Sequence, residues 1–499
     1  MKFQDNFKSA SLPSQKVEAN VSYLRNVFNG DETLRLRYVT NSSKQIKFCL
    51  VYMDGMVNNK LINDDVIKPL LEFQFPKEIN SNLIDLVAEE CNFSNGVEKA
   101  SDMDKLIQSM IYGDTILLTD GYSDALILNT KGWQTRSIEE PQNERVLAGP
   151  REGFNESLLM NISMLRRKLR TPELKIHFLT FGRKSHTQAC LCYLDGIVNK
   201  VVLDDLQKRL DKIDIDGTLD TQYIAELIRD KPLAATRTVG TTERPDVVAG
   251  KLLEGRIALF LDGTPQAITV PYLFIENFQS DEDYYVNYYY ASIGRILRIF
   301  SFIVSTGIPA LYVALTTFHQ EVLPTSLLIS ASQARQGVPF PTVLEIIMML
   351  IVFEMLNETG SRMPGMMGQT LGIVGALVIG QAAVTAKIVS APIIIVVGIA
   401  GICGLMVPRV KAFEVLVQFI MLALVSCLGL YGFLFGYIGL LIHLYNIDSF
   451  GIPIMANNDL KDLQEFKDFY IRAPWWKMLK RPKGLTENRF RQGRSGAKK

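Results

Sequence analysis

The residues of this chain best equipped for chemistry are carboxylates at short spacing. Besides Asp216-Gly217, four Asp-Gly pairs occur: Asp54-Gly55, Asp120-Gly121, Asp195-Gly196 and Asp262-Gly263. Paired carboxylates can do acid–base or metal chemistry. Each pair here follows an apolar run, as in ILLT-DG-YSDALIL, and Asp-Gly between such runs is a strong hairpin signal. A turn explains all four copies without a ligand. Asp214–Leu219 (DIDGTL) resembles a phosphatase pattern, in which the first Asp attacks phosphorus and the second handles the leaving group's proton. That chemistry requires an apolar strand before the nucleophile, but LDDLQKRLDKI precedes it. The segment also fails as a calcium loop, since Lys212 and Tyr223 would fill the first and last ligand positions. Asp220 or Thr221 reads instead as the N-cap of the helix QYIAELIRD. Cys190 and Cys192 would share one side of a strand, with no partner pair at zinc spacing. No catalytic, cofactor-binding or metal site is assigned.

The elements that carry these residues come in two copies. Tyr52–Asn58 (YMDGMVN) matches Tyr193–Asn199 (YLDGIVN) at an offset of 141, and the later Asp-Gly pairs lie 142 apart. The upstream runs LRLRYVTNSSKQIKFCLVY and LKIHFLTFGRKSHTQACLCY also correspond. Three blocks in one order at nearly one offset indicate duplication. Helical patterns at Val66–Leu71, Lys105–Ile111, Leu203–Leu210 and Gln222–Arg229 alternate with the strand-like runs. The fold class expected is a mixed α/β soluble head of two duplicated subdomains, followed by an α-helical polytopic membrane domain of five to six spans. The division is 1–29, a polar segment; 30–150, the first subdomain; 151–169, a linker helix; 170–290, the second subdomain; 291–447, the membrane domain; and 448–499, a basic tail.

Two compact motifs interrupt the head. Gly149, Pro150, Arg151, Glu152, Gly153 and Phe154 open the linker, and Asn155 or Ser157 starts its helix. Leu158, Ile162, Leu165 and Leu169 form an apolar stripe, leaving Arg166, Arg167 and Arg170 for a solvated face or a salt-bridged lobe interface. The second motif, Glu243, Arg244, Pro245 and Asp246 after Thr242, is expected to close a loop through internal ion pairs.

At Tyr284–Tyr290 (YYVNYYY) the chain changes solvent, and tyrosine favours the membrane–water boundary. Apolar stretches follow at about 296–319, 341–357, 368–386, 390–407, 412–427 and 429–445, the last two separated only by a glycine-rich break. Arg295, Arg298, Arg362, Arg409, Lys411 and the tail then fall on one side, which predicts a cytoplasmic head and tail. The start of the chain shows no apolar signal region. Trp475, Trp476, Lys477, Lys480, Arg481 and Lys483 are suited to anionic lipid. A net charge of +1 argues against a general nucleic-acid binder.

The second span carries Glu345, Glu354, Glu358 and Arg362, and the last three stack on one helical face. Charges in a span are expected to face a bundle interior or water. In the third span Gly368, Gly372, Ala376 and Gly380 permit close helix approach, while Thr370, Val374, Leu377, Gln381 and Thr385 form another face. A wet pathway and tight packing both fit this pattern. Pro324–Pro341, which contains Arg335, reads as a surface or re-entrant elbow.

GPREGFNESLLMNISMLRRKL, TERPD, LDGTP before an apolar strand, ARQGVPFPTVLE and GQTLGIVGALVIGQAAV occur in this order over nearly the whole chain. Together they resemble the A subunit of the GerA-type spore germinant receptors. The resemblance implies a spore inner-membrane protein acting with an integral-membrane B subunit and a lipoprotein C subunit to convert nutrient binding into ion release. With the phosphatase pattern rejected above, no enzymatic activity is expected. The chain departs from the family pattern at Asn357, where an Arg is expected, and in Lys231–Gly240, which lacks a Phe-Pro pair. Two mechanisms fit the residues best: an oligomeric ligand-gated channel, and a non-conducting scaffold that relays the signal to a separate channel. A transporter fits less well, since the membrane half shows no obvious repeat.

Overall fold

The computed structural model describes residues 15–41, 46–74, 83–90, 96–132, 144, 146, 148–362, 375, 378–455, 468–482, 484–486, 488 and 490–491. Alternating side chains build β1 (Leu34–Thr40) and β2 (Lys47–Met53), which pair antiparallel with Tyr38 opposite Cys49. With β3 (Val97–Ala100), β4 (Thr115–Thr119) and β5 (Ala125–Leu128) they form a five-stranded sheet of order β1-β2-β4-β5-β3. In the second lobe β6 (Leu174–Phe181), β7 (Thr187–Leu194), β8 (Gly240–Thr242), β9 (Ile257–Leu261) and β10 (Ala267–Val270) take the order β6-β7-β9-β10-β8. The two orders are the same, so the sequence repeat is a repeat of topology.

The period of two in each strand sends apolar residues to both faces. In the first sheet Cys49, Val51 and Met53 pack under helices Val17–Val27 and Met103–Ile111, while Phe48 and Leu50 pack with Ile62, Val66 and Leu70. In the second sheet Cys190 and Cys192 lie under helices Leu158–Lys168 and Pro245–Leu253. The linker helix is therefore part of the second lobe's core. It occupies the place that Val17–Val27, 141 residues earlier, holds in the first lobe. The four Asp-Gly pairs that follow apolar runs are turns, with Gly55, Gly121, Gly196 and Gly263 at φ +76 to +90. Two join β4 to β5 and β9 to β10, and two turn a strand into a helix.

Arg166 is not solvated. Its guanidinium is fully buried, 2.7 Å from Asp31 and 2.9 Å from the Thr33 hydroxyl, and ties the linker helix to the first lobe. Asp220 caps the helix Thr221–Leu227, accepting from the Thr221 N–H at 2.8 Å.

Beyond the head, Tyr288–Phe318 and Pro408–Leu428 are long and apolar enough to cross a membrane, and Ala391–Leu405 and Leu430–Tyr445 are shorter apolar helices. The charged second helix runs Thr342–Arg362. Gly429, at φ +59, separates Lys411–Leu428 from Leu430–Tyr445. Gly432 then lies against Leu424, and Gly436 against Met421, so the two helices fold back on each other. The elbow contains a ten-residue helix, Thr325–Ala334.

The second lobe and the membrane helices share one hydrophobic core. The other face of the second sheet, with Leu191, Leu259 and Ile268, runs through Leu273, Phe274 and Phe278 to Phe302, Val313 and Phe413. Phe278 meets Phe302 edge-on at 5.5 Å between ring centroids, and Phe274 meets both Phe302 and Phe413 at 6.2 Å.

Candidate functional site

The segment after β10 carries both the apolar and the charged parts of the joint between head and membrane helices. It forms two short 3-10 turns, Phe274–Phe278 and Asp281–Tyr284, before Asn287 caps the long helix by accepting from the Tyr289 N–H at 3.0 Å. Glu276 in the first turn is buried and receives the Leu273 N–H at 2.7 Å. It also pairs with Lys251 and Arg256. Burial works to raise the Glu276 carboxyl, but Arg256 and Lys251 outweigh it and hold the group below its ordinary value.

The second turn presents Asp281 and Asp283 to opposite partners. Asp283 binds Arg295 at 2.8 Å and Arg298 at 2.6 Å, both on the long helix. Asp281 lies 3.1 Å from Arg409, in the turn before the Lys411–Leu428 helix. The same guanidinium lies 3.1 Å from Glu144 and donates to the carbonyl of Gln279 at 3.1 Å. Burial would lower the Arg409 pKa, yet Asp281 and Glu144 keep it above its ordinary value. Burial pushes the Glu144 carboxyl up, against the pull of Arg409.

Both head motifs singled out in the sequence converge here. Arg244 is fully buried; it donates to the Pro150 carbonyl at 2.9 Å and to Asp246 at 2.8 Å. The internal pair expected within this motif is present, and Arg244 also reaches the other motif. Glu243 gives its N–H to Glu144 at 3.0 Å, and its carbonyl accepts from the Phe154 N–H at 2.8 Å. Pro245 opens the following helix at a position where its missing N–H leaves no bond unmade. Phe154 packs edge-on to Phe260 at 5.0 Å. Gly149 has φ +120, and a Cβ there would stand 2.6 Å from Tyr285 Cδ2. Only glycine lets that ring pack so close to the backbone. The Tyr285 hydroxyl in turn donates to Asp246 at 2.6 Å. Glu152 faces the linker helix, 3.2 Å from Arg167 and 3.0 Å from Lys168. Gly153 is buried and Arg151 exposed.

The membrane carboxylates lie apart from this cluster. Glu345 is fully buried, accepts the Ser390 N–H at 2.8 Å and lies 3.6 Å from Arg335 of the elbow. Glu354 pairs with Lys411 at 2.8 Å, at the start of the helix that follows the Arg409 turn. Glu358 is on the same helix, as is Arg362 at its end. Of the third-span residues, Thr370, Gly372, Val374, Ala376 and Leu377 lie outside the described residues. Gly380 is buried, with room for a Cβ 3.5 Å from Ile394, and Gln381 is exposed.

The tail returns to the head. Asp468 lies 3.0 Å from Arg295, the Ser449 hydroxyl accepts the Tyr272 N–H at 3.0 Å, and the Ile454 carbonyl accepts the Phe274 N–H at 2.9 Å. Arg481, expected among the lipid-facing cations, is buried and donates to the carbonyls of Leu253 and, at 2.7 Å, Phe490. Trp475 and Trp476 remain exposed beside Tyr284 and Tyr288. Sequence reasoning missed Glu144, Glu276, Asp281, Asp283 and Asp468. The one available signal was the acidic run SDED just ahead of the tyrosines.

Comparison with known proteins accounts for the conjunction of these motifs. The family model described as Bacillus/Clostridium GerA spore germination protein matches residues 22–484. This chain belongs to the GerA family. It is 41% identical to spore germination protein KA of Bacillus subtilis (strain 168) over 455 residues, covering 90% of this chain and 83% of that one. It is 40% identical to the uncharacterized membrane protein YfkQ of the same organism, covering 90% and 87%. Identity to spore germination protein GerLA of Bacillus cereus is 33%, covering 93% and 94%. A crystal structure of the N-terminal domain of the A subunit of the Bacillus megaterium spore germinant receptor GerK3 matches at 31% identity, with a TM-score of 0.44, covering 54% of this chain and 99% of that chain. The joint described above unites the two head motifs with the helices Tyr288–Val313 and Lys411–Leu428.

Proposed function

We propose that this GerA-family chain is the A subunit of a nutrient-responsive germinant receptor in the spore inner membrane. It acts with an integral-membrane B subunit and a lipoprotein C subunit, and it transduces nutrient binding into ion release. Assembled as a homo-oligomer, it forms a ligand-gated channel lined by the third span. The observation that carries this reading is the joint. A change in the second lobe has a continuous path through Phe274, Phe278 and Phe302, and through Asp281 and Arg409, into the membrane helices. Ligand binding shifts such a joint only by favouring one of its two states.

Contact between tail and head supports six spans over five, since a chain that leaves and returns to one side crosses an even number of times. The helical hairpin at Gly429 supports a reading in which Leu430–Tyr445 is the sixth crossing. A cytoplasmic head and tail agree with the basic residues on that side. The full chain reconstituted in liposomes, with Val374→Ala and Leu377→Ala as open-biased variants, is expected to pass ions. Silent bilayers that contain verified oligomer overturn conduction. The scaffold reading, which keeps the same head and joint, then stands, and uniform protection of cysteines introduced along Thr370–Thr385 is its signature.

A further inference from the structure

A crevice of about 860 Å³ opens between the second lobe and the point where the long helix leaves the head. Most charges on its wall are used by the joint. Glu144 and Asp281 hold Arg409, and Asp283 holds Arg298. Glu243 and Glu282 have partners of their own. Arg229 and Arg237 also line it, and among the described residues neither has an ion-pair partner. The Arg229 Nε is buried with no hydrogen bond, although that group always carries charge and seeks an acceptor.

The opposite wall is apolar and belongs to the helix Tyr288–Val313. Ile293 and Leu297 line the crevice at 58% and 47% exposure, and Phe300, 60% exposed, continues the same face outward. Positions i, i+4 and i+7 share one side of a helix, so these three form a strip leading from the crevice along the span. Arg298, held by Asp283 and by the Phe278 carbonyl at 2.5 Å, ties the head to the long helix beside this strip. The site thus offers unneutralised guanidinium groups at headgroup height and an exposed apolar strip below them. A soluble anion would use only the first, and a neutral lipid only the second.

We propose that this crevice binds an anionic phospholipid, its phosphate on Arg229 and Arg237 and an acyl chain along Ile293, Leu297 and Phe300. Cationic groups at a membrane surface each contribute about 1 kcal/mol toward anionic lipid, roughly a fivefold change in affinity. Occupancy would brace the second lobe against the long helix. The inference rests on the membrane placement of that helix and not on conduction.

The test uses the full chain, delipidated in neutral detergent, and reads thermal stabilisation and retained lipid by native mass spectrometry. Phosphatidylglycerol, phosphatidylcholine and inorganic phosphate are added separately. Phosphatidylglycerol is expected to be retained and to stabilise at concentrations at which the other two do not. Arg229→Gln with Arg237→Gln should weaken it by roughly tenfold or more, while Arg229→Lys with Arg237→Lys keeps most of the effect. Equal response to phosphatidylcholine, equal retention by the Gln variant, or saturation by inorganic phosphate alone each overturns the proposal. Recovery of the chain in the soluble fraction of cells overturns it together with the membrane reading. Loss of conduction with lipid selectivity intact touches only the channel.

Discussion

Arg409 and Asp281 lie 3.1 Å apart across the junction of membrane helices and head, and the same guanidinium spans to Glu144. These residues are 128 positions apart in the chain. Asp281 follows Phe278 of the shared aromatic core by three residues and Arg409 precedes Phe413 by four, so the polar and apolar links between the two halves lie on the same segments.

Arg409→Ala should loosen this junction. Removing Arg409 takes away the ion pair of the largely buried Glu144 and leaves Asp281 with Arg244 at 3.8 Å. Breaking a pair destabilises by about 3–5 kcal/mol in a fully buried setting. Arg409 is 28% exposed, which puts the expected loss toward about 1–3 kcal/mol. Hydrogen exchange in the full chain should rise over Gln279–Val286 and stay unchanged in the first lobe. Arg409→Lys should recover only part of the loss, since it cannot bridge both acids with a planar fork.

Arg166 and Asp31 provide the corresponding bolt between lobes, with both side chains fully buried. Arg166→Met alone strands the Asp31 charge, and a loss of about 3–5 kcal/mol is expected. Adding Asp31→Leu should restore much of the melting temperature, because two apolar residues need no pairing. Melting curves of the four forms give the coupling. Additive losses would rule out the bolt.

Glu276 makes the second lobe sensitive to acid. Its carboxyl is held below the ordinary 4.5 by Arg256 and Lys251, against burial. The unfolded chain therefore takes up the proton more readily than the folded one. The stabilisation is fully present above 4.5 and is lost as pH falls through the lower folded value. Glu276→Gln should melt earlier at neutral pH and show a flatter decline between about pH 5 and 3. A decline as steep as that of the parent chain would assign the acid sensitivity elsewhere.

Gly149→Ala should strain the contact with Tyr285. The backbone is at φ +120, and the new methyl would meet the ring at 2.6 Å. Strain of this kind costs about 1–3 kcal/mol. Tyr285→Ala in the same chain should relieve the steric part but not the backbone part. The double variant is then less destabilised than the sum of the two.

Much of the architecture was legible in the sequence because it is local. The Asp-Gly turns, the N-cap at Asp220, the stripe Leu158–Leu169 and the break at Gly429 each depend on backbone geometry over a few residues. The repeat was legible because two copies at one offset must fold alike. The repeat also reaches further than its three strand blocks: the helices Val17–Val27 and Leu158–Lys168 share a place in the fold, and Asn20–Arg25 (NVSYLR) matches Asn161–Arg166 (NISMLR) at the same offset of 141.

Sequence by itself determined that a duplicated α/β head precedes apolar helices, and it picked out the two motifs at Gly149–Phe154 and Thr242–Asp246. Tertiary structure decided what those motifs touch. Arg244 meets Pro150, Arg409 meets Asp281 and Glu144, and Arg481 turns from lipid to the head. Hydrophobic periodicity states which face of an element is buried, but a buried charge takes its partner from whichever element the topology brings near. That choice is set by the packing of the whole chain.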